Sequence, residues 1–385
     1  MPFFPGTIHS KLPKVGTTIF TVMSKMAAEH NAINLSQGFP DFMCSEALIK
    51  LVNEAMLKGH NQYAPMPGLL TLRTILAKKT EEQYGTKYDP ETEITITAGA
   101  TQAIYTAVAA IVREDDEVIV FEPAYDCYQP AIEVAGGKTV YLRLKAPDYS
   151  IDWDEVKKMF NHRTRMIILN TPNNPTGSVW TADDMRKLEK IVKGSDTVIV
   201  SDEVYEHIIF DGQQHQSVSR FPILAERSLI VSSFGKTFHT TGWKVGYCVA
   251  PQNLMTEFRK VHQFLVFSVN TPIQYALAEY LQEKETYLQL GSFYQKKRDY
   301  FNGLLKNSRF KFSPASGTYF QLLDYSAITN ERDTDYAVRL IKEAGVASIP
   351  ISVFYHKPVD NKILRFCFAK KEETLEKAAE LLCKI

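Results

Sequence analysis

The sequence predicts an α/β protein: a three-layer αβα body around a mostly parallel seven-stranded sheet, followed by a smaller α+β unit. Three observations carry this reading. Between residues 93 and 250, short β-branched runs alternate with longer stretches of helical period, the pattern of parallel sheets covered by helices on both faces. Over residues 310–385 the texture changes, with "GTYFQLLD", "VASIPIS" and "KILRFCFA" set between two helical stretches. A chain of 385 residues is also long enough for two bodies.

In chain order, the first ~40 residues are Pro-rich and irregular, so they are expected to wrap onto one of the bodies. The strands of the sheet are expected at 93–99, 117–123, 139–144, 165–172, 197–203, 228–235 and 244–250. Helices are expected at 100–112 and at 181–192, the second behind a Thr181 cap, with a long helical pattern near 253–305. The expected units are an arm over 1–45, a large domain over 46–285 and a small domain over 286–385.

Composition narrows the function classes. Lys+Arg and Asp+Glu both count 44, so no overall charge points to nucleic acid or an anionic membrane. Five scattered cysteines without CxxC spacing argue against a disulfide framework and against a structural metal site. The N-terminus lacks the apolar core of a signal peptide, and no apolar run is long enough to span a bilayer. A cytoplasmic setting is expected.

In open α/β sheets, ligands bind beyond the C-terminal ends of the strands. Those ends deliver Gly99-Ala100-Thr101, Glu122 through Tyr125, Asn170 through Gly177, Asp202 with Tyr205, and Ser232 through Lys236. The Gly235-Lys236-Thr237 triplet resembles the end of a P-loop, but the cradle glycine of that motif would fall at Ile230, inside a strand. An anion site is better placed at the turn 99–101, where a strand feeds a helix N-terminus; a plain, well-capped turn would look the same. Asp202 ends an apolar strand, where an unpaired charge is costly, so a cationic partner is expected, a protonated ring nitrogen being one option. Lys236 follows an apolar strand and has few charged neighbours; burial and a second cation such as Lys244 would lower its pKa and favour attack on a carbonyl. Taken singly, each of these residues also has a bland structural role, as cap, core tyrosine or surface lysine.

Their order is what distinguishes them. "SFGKTFHTTGWKVGY" and "NTPNNPTG", with "NLSQGFPDF", "NQYAPMPGLLTLR", "FEPAYDCY" and "ILRFCFAK", resemble the class I, fold-type I pyridoxal-phosphate aminotransferases, within the kynurenine/glutamine transaminase branch. The resemblance covers nearly the whole chain. It implies that Lys236 bonds covalently to pyridoxal 5′-phosphate and then moves the substrate proton, and that Asp202 keeps the pyridine nitrogen protonated. It further implies that Asn174 and Tyr205 bond the phenolic oxygen and that Tyr125 stacks on the ring. Gly99, Ala100, Thr101, Ser233 and Lys244 would hold the phosphate, joined by Tyr63 from a second subunit of a homodimer. Arg365 would pair with the substrate α-carboxylate, a task that guanidinium geometry suits, beside Gly38 and Asn174. Phe20, with Phe264 and Phe267 across the dimer interface, would line an apolar side-chain pocket. Relatives on the kynurenine side carry an aromatic residue at Thr101 and a tryptophan at Phe20, and no second arginine matches an acidic-substrate site. Methionine, glutamine and aromatic amino acids are therefore the expected donors, with 2-oxo acids as acceptors. Kynurenine transamination and β-elimination from cysteine S-conjugates are the alternatives on the same site.

Overall fold

The computed structural model describes all 385 residues. Seven strands form the main sheet: β1 (Ile94–Thr97), β2 (Glu117–Glu122), β3 (Lys138–Arg143), β4 (Thr164–Asn170), β5 (Val198–Asp202), β6 (Ser228–Ser233) and β7 (Gly246–Val249). Their spatial order is β1-β7-β6-β5-β4-β2-β3. Pairing is parallel from β3 through β6, and only β7 runs backwards, antiparallel to both β1 and β6. Successive residues face opposite sides of a strand. Val118, Val120 and Val200 thus enter one apolar cluster, while Ile119, Phe121 and Ile199 enter another on the opposite face. This double burial explains why the strands read as continuous β-branched runs.

The reversal of β7 matters for the site. Its first residue, Gly246, pairs with Ser233 at the end of β6 and with Thr97 at the end of β1. Lys244, expected within a strand, instead lies just before β7 at φ 56, and the reversed strand brings it to the edge where the parallel strands end. Only a hydrogen fits at Gly246, since a Cβ there would lie 2.5 Å from the Ser232 carbonyl oxygen and 3.3 Å from the Ala100 amide nitrogen.

Three other expectations are corrected. The strand expected to reach residue 235 ends at Ser233, and Phe234–Thr237 forms a short helical turn that carries Lys236. The helical pattern near 253–305 is broken into Gln252–Leu265, Thr271–Tyr280, Glu285–Leu288 and Leu290–Leu304. Asn270 caps the second of these and Pro272 opens it, because proline suits a first helical turn and not an interior. The N-terminal arm is not wholly irregular: Ile19–Glu29 is a helix capped by Thr18.

That N-terminal helix sends Met23 and Ala27 into a third apolar cluster built chiefly from residues 290–382. Val204, Tyr205, Ile208 and Phe210, which follow β5, enter the same cluster. Around it lie three antiparallel strands, β8 (Phe320–Asp324), β9 (Ile349–Pro350) and β10 (Ile363–Cys367), in the order β9-β10-β8. No helix is long and apolar enough to cross a membrane.

Candidate active site

The strand ends enclose a cavity of about 140 Å³ lined by Gly99, Ala100, Thr101, Tyr125, Asn174, Asp202, Tyr205, Ser233, Lys236 and Lys244, among others. Ten of the residues singled out in the sequence thus share one wall.

One end of the cavity is built for an anion. Gly99, at φ 80, precedes the helix Ala100–Ile111, and no side chain caps that helix. The first amide hydrogens of a helix have no partner within it, and they carry the positive end of its dipole. Lys244 adds a full charge, its Nζ reaching within 3.7 Å of where a Cβ on Gly99 would sit.

At the centre is Asp202. Its Oδ2 accepts a 2.6 Å hydrogen bond from the Tyr128 hydroxyl and its Oδ1 a 3.3 Å bond from the Val204 amide. Burial pushes the carboxyl up to about 6, although both donors pull it back. It has no salt bridge. The Asp202 carbonyl accepts from Asn170 Nδ2 at 2.9 Å, and Asn170 Oδ1 in turn accepts from the Asn174 amide at 2.7 Å. This relay ties the ends of β4 and β5 to the rigid loop that carries Asn174.

The Lys236 amine hydrogen-bonds the Gly38 carbonyl at 3.3 Å and lies 5.8 Å from the centre of the Tyr205 ring. Burial brings its pKa down to about 8. Arg365 lowers it further and precedes Lys244 in that effect, while Cys367 and Asp202 act against it. The second cation inferred from the sequence is therefore a lesser influence than the burial of the amine and the nearby guanidinium. Burial also raises the Tyr205 phenol far above its ordinary range.

Arg365 lies in β10, in register with Leu322 of β8 and Ile349 of β9. It is only 1% exposed. Nη1 donates to Asn174 Oδ1 at 2.6 Å and Nη2 to the Ser36 carbonyl at 3.0 Å, while Nε has no partner. The guanidinium sits 3.9 Å from the Phe320 ring centre, with Phe20 at 5.3 Å and Phe354 at 5.4 Å. Gly38 lies beside them. Its amide has no backbone acceptor, and a Cβ on it would sit 2.7 Å from Phe320 Cζ.

Tyr63, Phe264 and Phe267 are not part of this wall. They are 81%, 87% and 51% exposed, and Tyr63 stacks edge-on against Phe267 at 5.2 Å. Three residues at the site were given no role in the sequence: Tyr128, Asn170 and Tyr319, whose hydroxyl donates to the Gly38 carbonyl at 2.5 Å. Tyr128 lies in the quoted "FEPAYDCY" and Asn170 opens the asparagine loop, so proximity could have raised both; Tyr319 has no local mark.

The donor set fits pyridoxal 5′-phosphate. An uncapped helix start with Lys244 suits its phosphate, and the buried Asp202 carboxylate without a salt bridge suits a protonated ring nitrogen. The primary amine suits its aldehyde.

A mostly parallel seven-stranded sheet with a lysine, an aspartate and an anion turn at one edge defines an aminotransferase-type site. The family model for class I and II aminotransferases matches residues 30–382, and the chain belongs to that family. It is 52% identical to the methionine aminotransferase of Escherichia coli K12, over 97% of both chains. It is 34% identical to human kynurenine–oxoglutarate transaminase 1, over 94% of both. A crystal structure from E. coli, reported as identifying a methionine aminotransferase function, superposes with a TM-score of 0.97 at 51% identity, covering 99% of this chain and 100% of that one. The fold is that of the solved pyridoxal-phosphate aminotransferases.

Proposed function

We propose that the protein is a pyridoxal-phosphate-dependent methionine–2-oxo-acid aminotransferase with a ping-pong mechanism, accepting glutamine and aromatic amino acids as further donors. The carrying observation is the Lys236 amine set in one cavity with the Asp202 carboxylate and with the uncapped helix start beside Lys244, its pKa brought down to about 8 by burial. The identity to the methionine aminotransferase supports the donor. Thr101 and Phe20, which depart from the aromatic residue and tryptophan of the kynurenine side, weigh against kynurenine as the main substrate.

When bound, the cofactor supplies an aldehyde carbon for the amino group and a conjugated ring that takes up electrons from the α-carbon. Lys236 Nζ would take the proton from the substrate α-carbon and deliver it to the cofactor carbon that had carried the aldehyde, as an amine titrating near neutrality can. The Asp202 carboxylate holds a proton on the ring nitrogen. Tyr205 and Asn174 hydrogen-bond the ring oxygen, and Tyr125 packs against the ring. The amides after Gly99, with Thr101, Ser233 and Lys244, bind the phosphate. Arg365, with Gly38 and Asn174, binds the substrate carboxylate, and Phe20 packs near its side chain.

Tyr63 completes the phosphate site from a second copy in a homodimer, a reading supported by its exposure on a surface with Phe264 and Phe267. The units are an arm over 1–45, a large domain over 46–285 and a small domain over 286–385, supported by the separate apolar clusters. The five unpaired cysteines are in keeping with a cytoplasmic setting.

Borohydride reduction of the purified holoprotein followed by peptide mapping tests the chemistry: the cofactor adduct is expected on Lys236, and an adduct on another lysine overturns the reading. A donor panel is expected to rank methionine above kynurenine and aspartate; a flat panel overturns the donor assignment alone.

Tyr128→Phe removes one of the two donors that favour the ionised form of Asp202. A hydrogen bond to a charged group is worth about 1.5–3 kcal/mol, so the carboxyl should rise by about one pH unit or more. In cofactor-free protein the spectroscopically followed titration of Asp202 is expected to move up accordingly, and an unmoved midpoint would deny Tyr128 this influence.

A further inference from the structure

Behind the cavity wall, on the far side of Tyr205, lies a buried polar cluster that the proposed chemistry does not use. Its centre is Glu206, 5% exposed. Oε1 accepts from the Ser232 hydroxyl at 2.8 Å and the Tyr247 hydroxyl at 2.9 Å. Oε2 accepts from Lys79 Nζ at 2.8 Å and the Tyr84 hydroxyl at 2.6 Å. A carboxylate offers about four acceptor positions, and here four donors use them. Burial alone would raise this carboxyl, yet Lys79, His207 and the hydroxyl donors hold it well below its usual range.

The distribution of these donors along the chain is informative. Glu206 adjoins Tyr205 and closes the turn that begins at Glu203, its amide bonding the Glu203 carbonyl at 2.9 Å. Ser232 adjoins Ser233 and lies four residues before Lys236. Tyr247 lies three residues after Lys244. One carboxylate therefore touches each of the three segments that bring ring, amine and phosphate contacts to the cavity. Lys79 and Tyr84, on the helix Leu70–Tyr84, bear on the other oxygen and carry no residue of the site. A buried ion pair by itself adds little to stability, and Lys79 alone would not require the two hydroxyls from β6 and β7.

We propose that Glu206 is a positioning residue that sets the mutual placement of Tyr205, Lys236 and Lys244 through Ser232 and Tyr247. The inference rests on the reading of Lys236 as the cofactor-bonding lysine. Its effect should be seen in the unreacted holoenzyme, because misplacing a catalytic group by even ~1 Å is costly.

In Glu206→Gln, Ser232→Ala and Tyr247→Phe, cofactor affinity is expected to fall about tenfold, the scale of one hydrogen bond to a charged group. The pH midpoint of the absorption band of the lysine-bound cofactor should move by about one unit in the same variants. In steady state, kcat should fall more than KM for methionine changes. Tyr84→Phe is the control: it should lower the melting temperature and leave cofactor affinity and the band midpoint as they are. Equal effects from Tyr84→Phe and Ser232→Ala would overturn positioning in favour of general loosening, as would losses of melting temperature alone in all four. If Glu206→Gln does not fold, Ser232→Ala and Tyr247→Phe carry the test unaided. If wild-type protein shows no lysine-bound cofactor band, the proposed function fails and this inference with it; a normal wild-type band with unmoved variants overturns this inference alone.

Discussion

Lys236→Ala is expected to lower turnover by at least about 10⁴-fold, the upper range for a positioned proton-transfer group, while leaving a folded protein that retains cofactor. The side chain contributes little to the local structure. Its single hydrogen bond is the 3.3 Å contact with the Gly38 carbonyl. The turn around it is held by the backbone bonds Phe238 to Phe234 at 2.7 Å and Thr240 to Gly235 at 3.1 Å, and by the Thr237 hydroxyl on the Ser233 carbonyl at 3.2 Å. None of these needs the amine. Burial also penalises its charge. With a folded pKa of about 8 against an ordinary 10.5, the ammonium costs the folded state stability below pH 8, and the cost fades as pH rises towards 10.5. Cofactor-free Lys236→Ala should therefore compare best with the parent near pH 7 and lose that advantage near pH 10, measured as the difference in melting temperature. The truncated side chain leaves room for a small primary amine, and added amine should restore part of the turnover. Turnover within tenfold of wild type would remove Lys236 from the chemistry.

The folded positions of these residues explain how far a sequence could lead. Glycine, lysine, aspartate and asparagine at the ends of apolar strands are legible because a parallel sheet collects its strand ends on one edge. Asp202, Asn174 and Lys236 were readable on that ground, and the cavity lines up all three. Lys244 was not placed by the same logic, since it precedes its strand. It reaches the site only because β7 is antiparallel, and a reversal of one strand leaves no mark in periodicity. Arg365 likewise sits in a strand whose alternation suits an ordinary edge, and its burial depends on Phe20, Phe320 and Phe354 from three distant segments. Tyr128 escaped attention because its neighbour Tyr125 answered the same motif. The N-terminal helix was hidden by the prolines before it, although Thr18 caps its start. For Lys244 and Arg365 the missing information lay in long-range pairing and packing, whereas Tyr128 and the N-terminal helix carried a local mark in the quoted motif and in the Thr18 cap.

Arg365→Ala should reduce kcat/KM for methionine by about 10²–10³-fold, the consequence of truncating one partner of a buried, hydrogen-bonded charge pair. Most of the loss is expected in KM, because the carboxylate contact is made before and during the reaction alike. Arg365→Lys should fare little better. The guanidinium is planar, and its Nη1 and Nη2 are engaged by Asn174 and Ser36 while Nε stays free; an ammonium cannot hold both protein acceptors and still present a directed donor to a carboxylate. The pH behaviour should differ as well. Burial brings the Arg365 guanidinium down to about 10 from 12.5, so it stays charged through pH 9 and adds no alkaline limb there. A lysine under the same burial starts lower and is pushed in the same direction, so the Arg365→Lys profile should acquire an alkaline limb that wild type lacks. A decisive measurement compares methionine with its amine analogue that lacks the carboxylate. Wild type should favour methionine strongly, and the preference should largely collapse in Arg365→Ala. An undiminished preference would mean that the carboxylate is bound elsewhere, and the unpaired Nε would then need another occupant.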